Sequence, residues 1–159
     1  PRGGFYQYFE HRGDVLAYRM GELRRHVAWD LGARLRDPGG GDIFTLFSRT
    51  FAYTMALVSE DSPYAFCRGL LADTHLSRKL FDDRGRGLRA DLARRYSGAE
   101  QLDALGLDSP EALDDLLGIL FAITGEAYAQ VLLGGGCPEE TGMQYRRRLN
   151  LLRRRAGRA

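Results

Sequence analysis

The chain contains only one lysine, three histidines and two cysteines among its 159 residues. Cys67 and Cys137 are far apart and form no CxxC pair, so a reduced cytoplasmic protein is the simpler interpretation. His11, His26 and His75 show no metal-ligand spacing, and the sequence has no HExxH motif, phosphate loop or Ser/His/Asp set. The sequence therefore predicts no catalytic residue, no metal and no cofactor.

Paired carboxylates occur at Asp82-Asp83 and Asp114-Asp115. Adjacent positions on a helix point in different directions, so these pairs do not form an acid/base couple. A solvated helix surface explains them, and an enzyme is the least favoured function.

No signal peptide is visible, and one long apolar segment raises the question of a membrane span. Residues 116–136 carry a single charge, Glu126. Glu126, Gln130 and the glycines favour a buried interface helix over a span. We therefore expect no membrane association and a cytoplasmic location.

Gly, Pro and Asp residues separate a series of helical patterns. No segment shows a convincing strand pattern of alternating apolar and polar residues, so the predicted fold class is all-α. With 44% hydrophobic residues the chain can bury one substantial core. The predicted helices span 14–35 (N-cap Asp14), 43–58 (N-cap Asp42), 62–72 (cap Ser62, then Pro63), 74–96, 109–133 (cap Ser109, then Pro110) and 138–155.

The most informative segment is Phe-Tyr-Gln-Tyr-Phe-Glu-His-Arg-Gly-Asp-Val-Leu, residues 5–16. Phe5 and Phe9 lie four residues apart on one helical face that can be buried. Arg12 and Gly13 are expected to end this short helix, and Asp14 to cap the next one. An ordinary helical hairpin with no partner is the plainer interpretation of the same pattern.

This segment resembles the recognition helix and following long helix of TetR-family transcriptional regulators. The match consists of Phe5, Tyr6, Phe9, Arg12, Asp14, Val15 and Leu16. The resemblance implies that the short helix enters the DNA major groove and that Tyr6 and Arg12 contact phosphates. Further base or phosphate contacts are implied for Arg2, Gly3, Gln7 and Tyr8.

The resemblance also implies a division of the chain and an incomplete DNA-binding region. Residues 1–18 would be a remnant of the helix-turn-helix domain, and residues 19–159 the ligand-binding and dimerisation domain. TetR-type domains have two helices before the recognition helix, so we expect that operator DNA binding needs those helices, which this chain lacks. The expected architecture is a TetR-like helical bundle.

The last two helices carry the expectation of a homodimer. Apolar residues cover more than one stripe of the 109–133 helix, which implies burial on more than one side. Gly118 and Gly125 would allow close approach of another helix, although both helices could instead close a monomeric core. The predicted interface comprises Leu117, Leu120, Phe121, Thr124, Tyr128, Tyr145, Leu149 and Leu152.

A cavity for a small, largely apolar effector is expected among the central helices. Its predicted lining consists of aromatic and other apolar side chains, with a few polar groups that could orient a ligand. Most of these residues would be equally expected in an ordinary hydrophobic core. The lining comprises Trp29, Phe47, Arg49, Phe51, Tyr53, Met55, Phe66, Cys67, Leu70, His75, Phe81, Phe121 and Glu126.

Arginines cluster at 146–148 and 153–155 near the carboxyl end, while the net charge is only +2. Such a cluster suits nucleic acid, but the TetR-type layout places this helix away from DNA. A solvated helix face with cations favoured by the helix dipole is the preferred interpretation. The resemblance implies a ligand-responsive regulator, most commonly a repressor in that family. A dimeric ligand-binding or scaffold module that lacks DNA binding is the alternative.

Overall fold

The computed structural model describes residues 12–36, 41–59, 61–62, 65, 89–132 and 134–156. Of these residues 83% are helical, and none of them forms a strand. The predicted all-α class is therefore confirmed for the described part of the chain.

Six helical elements are numbered here in chain order. They are α1 (Arg12–Arg36), α2 (Ile43–Leu57), α3 (residues 89–96), α4 (Ala99–Ala104), α5 (Pro110–Leu132) and α6 (Pro138–Ala156). Helix α2 packs against α1, α5 and α6, and α5 packs against α6, so α2 is the central element of the described bundle.

Helix α1 begins earlier than the sequence pattern predicts. Arg12 and Gly13 are both helical, and Asp14 lies inside the first turn. The prediction that Arg12 and Gly13 end a helix and that Asp14 caps the next was therefore wrong. Asp14 still suits its position, because a carboxylate in the first turn interacts favourably with the positive end of the helix dipole.

The start of α2 follows its sequence signal closely. The Asp42 side chain accepts a hydrogen bond from the backbone N–H of Thr45 at 2.8 Å, as an N-cap residue does. Phe44, Phe47 and Phe51 then recur at three- and four-residue spacing and are all buried. The predicted cap and the predicted core face of this helix are both confirmed.

Helices α5 and α6 form an antiparallel pair joined by a short turn. Ser109 accepts from the backbone N–H of Ala112 at 3.2 Å and Pro110 opens α5, as predicted. Gly135 has a φ of +64° in the connecting turn, a conformation that glycine adopts without steric cost. The buried face of α5 includes Leu113, Leu117, Leu120, Ala127 and Val131.

The region before α5 contains a short helix that the sequence did not predict. Helix α4 has only six residues and no side-chain hydrogen bond at its N-cap, so it carries no local signal. Residues 89–96 are helical, in agreement with the end of the predicted 74–96 helix, whose earlier part lies outside the described residues. Arg89 joins α3 to α5 through Asp114, with 2.8 Å between guanidinium nitrogen and carboxylate oxygen.

Among the described residues, α5 is the one helix long and apolar enough to cross a membrane by length and composition. Core helices of soluble proteins meet the same criterion. In this structure one face of α5 packs against α2 and α6.

Candidate functional site

An aromatic cluster occupies the junction of α2, α5 and α6. The Phe51 ring lies between Tyr128 and Tyr145, with ring centroids 5.1 and 4.6 Å away. Phe47 meets Phe121 edge to face at 5.5 Å. These distances are typical of stabilising aromatic pairs, so the cluster ties the three helices together.

Hydroxyl groups border this cluster. The Thr124 hydroxyl donates to the Leu120 carbonyl at 2.5 Å, which leaves the Tyr145 hydroxyl to donate to Thr124 Oγ1 at 2.7 Å. Burial raises the pKa of Tyr128 to about 12, an effect that a hydrogen bond with Thr54 partly offsets. Burial also raises the pKa of Tyr145. Both phenols therefore remain neutral at physiological pH.

The structure divides the predicted ligand-binding residues into four groups, of which the last contains the described polar residues. Phe47, Phe51 and Met55 are buried and Phe121 partly buried, all at the junction of α2 with its neighbours. Trp29 is 71% exposed on α1, so its side chain does not line an interior cavity of the described chain, contrary to the prediction. Phe66, Cys67, Leu70, His75 and Phe81 lie outside the described residues.

The predicted polar ligand contacts lie at the surface. Arg49 is exposed and Tyr53 half-buried on α2. Glu126 is exposed on α5 and pairs with Arg148 of α6, with 2.5 Å between oxygen and nitrogen. Glu126 therefore joins α5 to α6 in the described structure, and it does not face an interior space.

Four of the predicted dimer residues are buried within their own chain. Leu117, Leu120, Tyr145 and Leu149 are each at most 2% exposed. This corrects the prediction that they form an intersubunit seam, because α5 and α6 use these side chains to pack against each other and α2. Phe121, Thr124, Tyr128 and Leu152 are partly buried beside the same core.

The free face of the α5–α6 pair carries different apolar residues. Ile119 is 47% exposed on α5 and Leu151 is 55% exposed on α6. Helical spacing places Ile119 and Glu126 on one face of α5, and Leu151 and Arg148 on one face of α6. Since Glu126 contacts Arg148, the two apolar side chains flank an ion pair on a common surface, here called the α5–α6 outer face.

Five of the predicted DNA-contacting residues, Arg2, Gly3, Tyr6, Gln7 and Tyr8, lie outside the described residues. The sixth, Arg12, is placed in the first turn of α1.

A groove of about 260 Å³ lies between α2 and α6. It is open to solvent and combines three arginines with hydroxyl, amide and apolar groups. Its lining comprises Phe44, Thr45, Ser48, Arg49, Arg146, Leu149, Asn150 and Arg153. Of these residues the sequence had singled out only Arg49 as a binding residue.

The sequence did not identify the other groove residues. It shows that arginines cluster near the carboxyl end, but only the packing of α6 against α2 shows which of these arginines contact another helix. Arg153 donates to Asp42 Oδ1 and to Thr45 Oγ1, both at 2.8 Å, across more than 100 positions of sequence. The predicted solvated face thus includes side chains that bridge helices.

Within the described ranges, no group of three or more His, Cys, Asp or Glu side chains is placed to hold a metal ion. Comparison with known proteins found no relative of this chain. No protein-family model matches the chain, and no curated protein and no solved structure matches it.

Proposed function

We propose that this chain belongs to a ligand-responsive, DNA-binding transcriptional regulator of TetR type that acts as a homodimer. The observation that carries the proposal is the pattern from Phe5 to Leu16, whose spacing resembles a recognition helix leading into a long helix. Tyr6 and Arg12 would contact phosphates, which position a reading helix on the duplex. The all-helical fold and the 25-residue length of α1 are compatible with this role.

The α5–α6 outer face supports the dimeric part of the proposal. Two copies of an antiparallel helix pair can pack as a four-helix bundle around a two-fold axis. Ile119 and Leu151 would be buried in such a contact, and Glu126 and Arg148 would lie beside them. A two-fold dimer presents two reading helices to the two halves of a palindromic site.

The proposed effector is small and largely apolar, and it acts next to the aromatic cluster of α2, α5 and α6. Phe47, Phe51, Met55 and Phe121 supply the apolar surface there. Binding would favour a dimer whose reading helices no longer match adjacent major grooves, with α1 carrying the coupling because it packs against α2. A library of apolar compounds that raises the melting temperature would identify the effector class.

One observation favours the alternative, a dimeric ligand-binding or scaffold module without DNA binding. Arg12 and Gly13 are helical, so the turn expected there between two helices is absent. A chain that continues as helix at this point would not present the compact pattern of a helix-turn-helix.

A DNA-binding measurement on the full chain separates these two functions. Fluorescence anisotropy with DNA from around its own gene, with excess unrelated DNA present, should show specific, salt-sensitive binding by two chains per site. Tyr6→Ala and Arg12→Ala should each weaken binding about tenfold, since a hydrogen bond to a charged group contributes roughly 1.5–3 kcal/mol. Arg154→Ala removes an exposed arginine from α6 and should leave the affinity within a factor of two.

Failure to bind any such DNA specifically while the protein is folded and dimeric would reject the regulator and support the scaffold. An equal loss of affinity in Arg154→Ala would show that general charge, and not the Phe5–Leu16 segment, attracts the DNA.

A further inference from the structure

The groove between α2 and α6 concentrates hydrogen-bond donors that lack anionic partners. Arg49 of α2 and Arg146 of α6 both line it and both are exposed. Within the described part of the chain, neither guanidinium forms an ion pair. Ser48 and Asn150 add a hydroxyl and an amide to the same lining.

The third arginine is held in place by its neighbours. Arg153 donates to Asp42 and Thr45, and its guanidinium carbon lies 5.7 Å from the centroid of the Phe44 ring. Asp42 therefore neutralises Arg153, while no described carboxylate compensates the charges of Arg49 and Arg146. An anion at this position would meet two fixed elements, because α2 and α6 are packed together through the core.

The groove offers little apolar surface. Phe44 and Leu149 belong to its lining, but each is only 2% exposed, and the Arg153 guanidinium lies over the Phe44 ring. A volume of about 260 Å³ falls below the roughly 300–1,000 Å³ typical of pockets for drug-sized ligands. The geometry suits a small anionic group.

We propose that this groove binds the phosphate group of a small phosphomonoester, with Arg49 and Arg146 as its principal ligands. A guanidinium is planar and donates two parallel hydrogen bonds, so two arginines together with Ser48 and Asn150 offer more donors than one carboxylate can accept. A phosphate has three terminal oxygens and can use them. The remainder of the ligand extends from the open side of the groove towards solvent.

This site is separate from the features that carry the proposed regulatory function. Arg146 and Arg153 face α2, whereas Arg148 faces the opposite flank of α6, towards Glu126 of α5. The groove lining shares no residue with the α5–α6 outer face, and its test does not depend on DNA binding.

Calorimetric titration of the full chain with phenyl phosphate, inorganic phosphate and benzoate tests the proposal. Phenyl phosphate should bind more tightly than benzoate, because a phosphate offers three terminal oxygens to the two arginines and a carboxylate offers two. Arg49→Gln and Arg146→Gln should each weaken its binding about tenfold or more, as expected for the loss of charge-assisted hydrogen bonds. The matched control is Arg147→Gln, which removes the same charge from the next position of α6, outside the groove lining, and should change the affinity less than twofold.

Circular dichroism melts of each variant establish that it is folded, and the ³¹P chemical shift of phenyl phosphate provides a second readout. An equal loss in Arg147→Gln would show general attraction of anions and overturn the proposal. Tighter binding of benzoate than of phenyl phosphate would overturn the ligand class. The absence of binding at millimolar phenyl phosphate to the folded wild type would overturn the site itself.

Discussion

The hydroxyl groups of Thr124 and Tyr145 share a hydrogen bond in which Tyr145 is the donor and Thr124 is the acceptor. Thr124 has its own acceptor in the Leu120 carbonyl, so its oxygen is available to accept from Tyr145. Tyr145 is 2% exposed and depends on Thr124 for its hydrogen bond. The two residues therefore contribute unequally to stability, although they share one contact.

We expect Thr124→Val to destabilise the fold more than Tyr145→Phe. The valine leaves the Tyr145 hydroxyl buried without an acceptor, at a cost of about 1–3 kcal/mol. The phenylalanine removes the Tyr145 donor itself and leaves Thr124 bonded to Leu120, so it should cost about 1 kcal/mol or less. Urea denaturation of both variants measures the difference, and a larger loss in Tyr145→Phe would show that Thr124 is not the acceptor.

Burial of Tyr128 predicts a loss of stability at alkaline pH. Its folded pKa of about 12 exceeds the ordinary value of 10.0, so its contribution is complete below pH 10 and is lost as pH rises towards 12. Tyr128→Phe should reduce the fall in the free energy of unfolding over this interval by about 2 kcal/mol. Denaturation midpoints at pH 8 to 12 provide the measurement. Tyr18→Phe, at a half-exposed site on α1, is the control, and an identical pH profile in the wild type and Tyr128→Phe would contradict the prediction.

At the scale of helices, Asp42 performs two tasks that substitution can separate. Its carboxylate caps α2 through Thr45 and contacts Arg153 of α6. Asp42→Asn keeps an acceptor for the cap and removes only the partly exposed ion pair, so it should cost less than about 1 kcal/mol.

Asp42→Ala removes the cap as well and should cost roughly 1–2 kcal/mol. Thermal and urea unfolding of the two variants check the order. If Asp42→Asn were as destabilising as Asp42→Ala, the ion pair and not the cap would dominate.

Three glycines allow the effects of space and backbone conformation to be distinguished. A Cβ on Gly106 would lie 1.7 Å from the carbonyl oxygen of Ala156 at a φ of +65°, so the turn after α4 can contact the end of α6 only without a side chain. Gly135 has a φ of +64° with no atom within 4 Å of such a Cβ, and Gly125 lies in α5 with the same free space and an ordinary φ.

Gly106→Ala should therefore be the most destabilising of the three, by about 2 kcal/mol or more. Gly135→Ala should cost about 1 kcal/mol through its backbone alone, and Gly125→Ala should stabilise α5 by about 0.5–1 kcal/mol. Denaturant midpoints establish the ranking. Equal stability of the Gly106 and Gly135 variants would show that the end of α6 does not lie against this turn.

At the scale of the whole molecule, the proposed homodimer depends on the α5–α6 outer face. A charged substitution at Ile119 or Leu151 places an unpaired carboxylate in a buried contact, so Ile119→Glu and Leu151→Glu should each weaken dimerisation at least tenfold. Sedimentation velocity across a range of protein concentrations measures the effect.

Trp29→Glu is the control, because Trp29 is 71% exposed on α1 and lies outside the α5–α6 outer face. A wild-type chain that is monomeric at all concentrations, or a dimer that only Trp29→Glu disrupts, would contradict this interface.

The positions of the long helices followed from local signals, while the partner against which the apolar residues of α5 and α6 are buried did not. Asp42 and Ser109 cap the helices that their spacing predicted. Leu117 and Leu149 were apolar in the expected places, but a pattern cannot distinguish burial against the same chain from burial against a second copy. The Asp14 prediction failed because a good capping residue also stabilises an interior position of the first turn.

The amino-acid sequence alone determined that this protein is helical and where its long helices lie, since periodicity, caps and turn glycines act over a few residues. Only the tertiary structure decided which face of α5 is covered, that Asp42 contacts Arg153, and that Arg49 and Arg146 share a groove. Those contacts join residues up to 111 positions apart. They depend on how the helices pack against one another, and no local pattern records that arrangement.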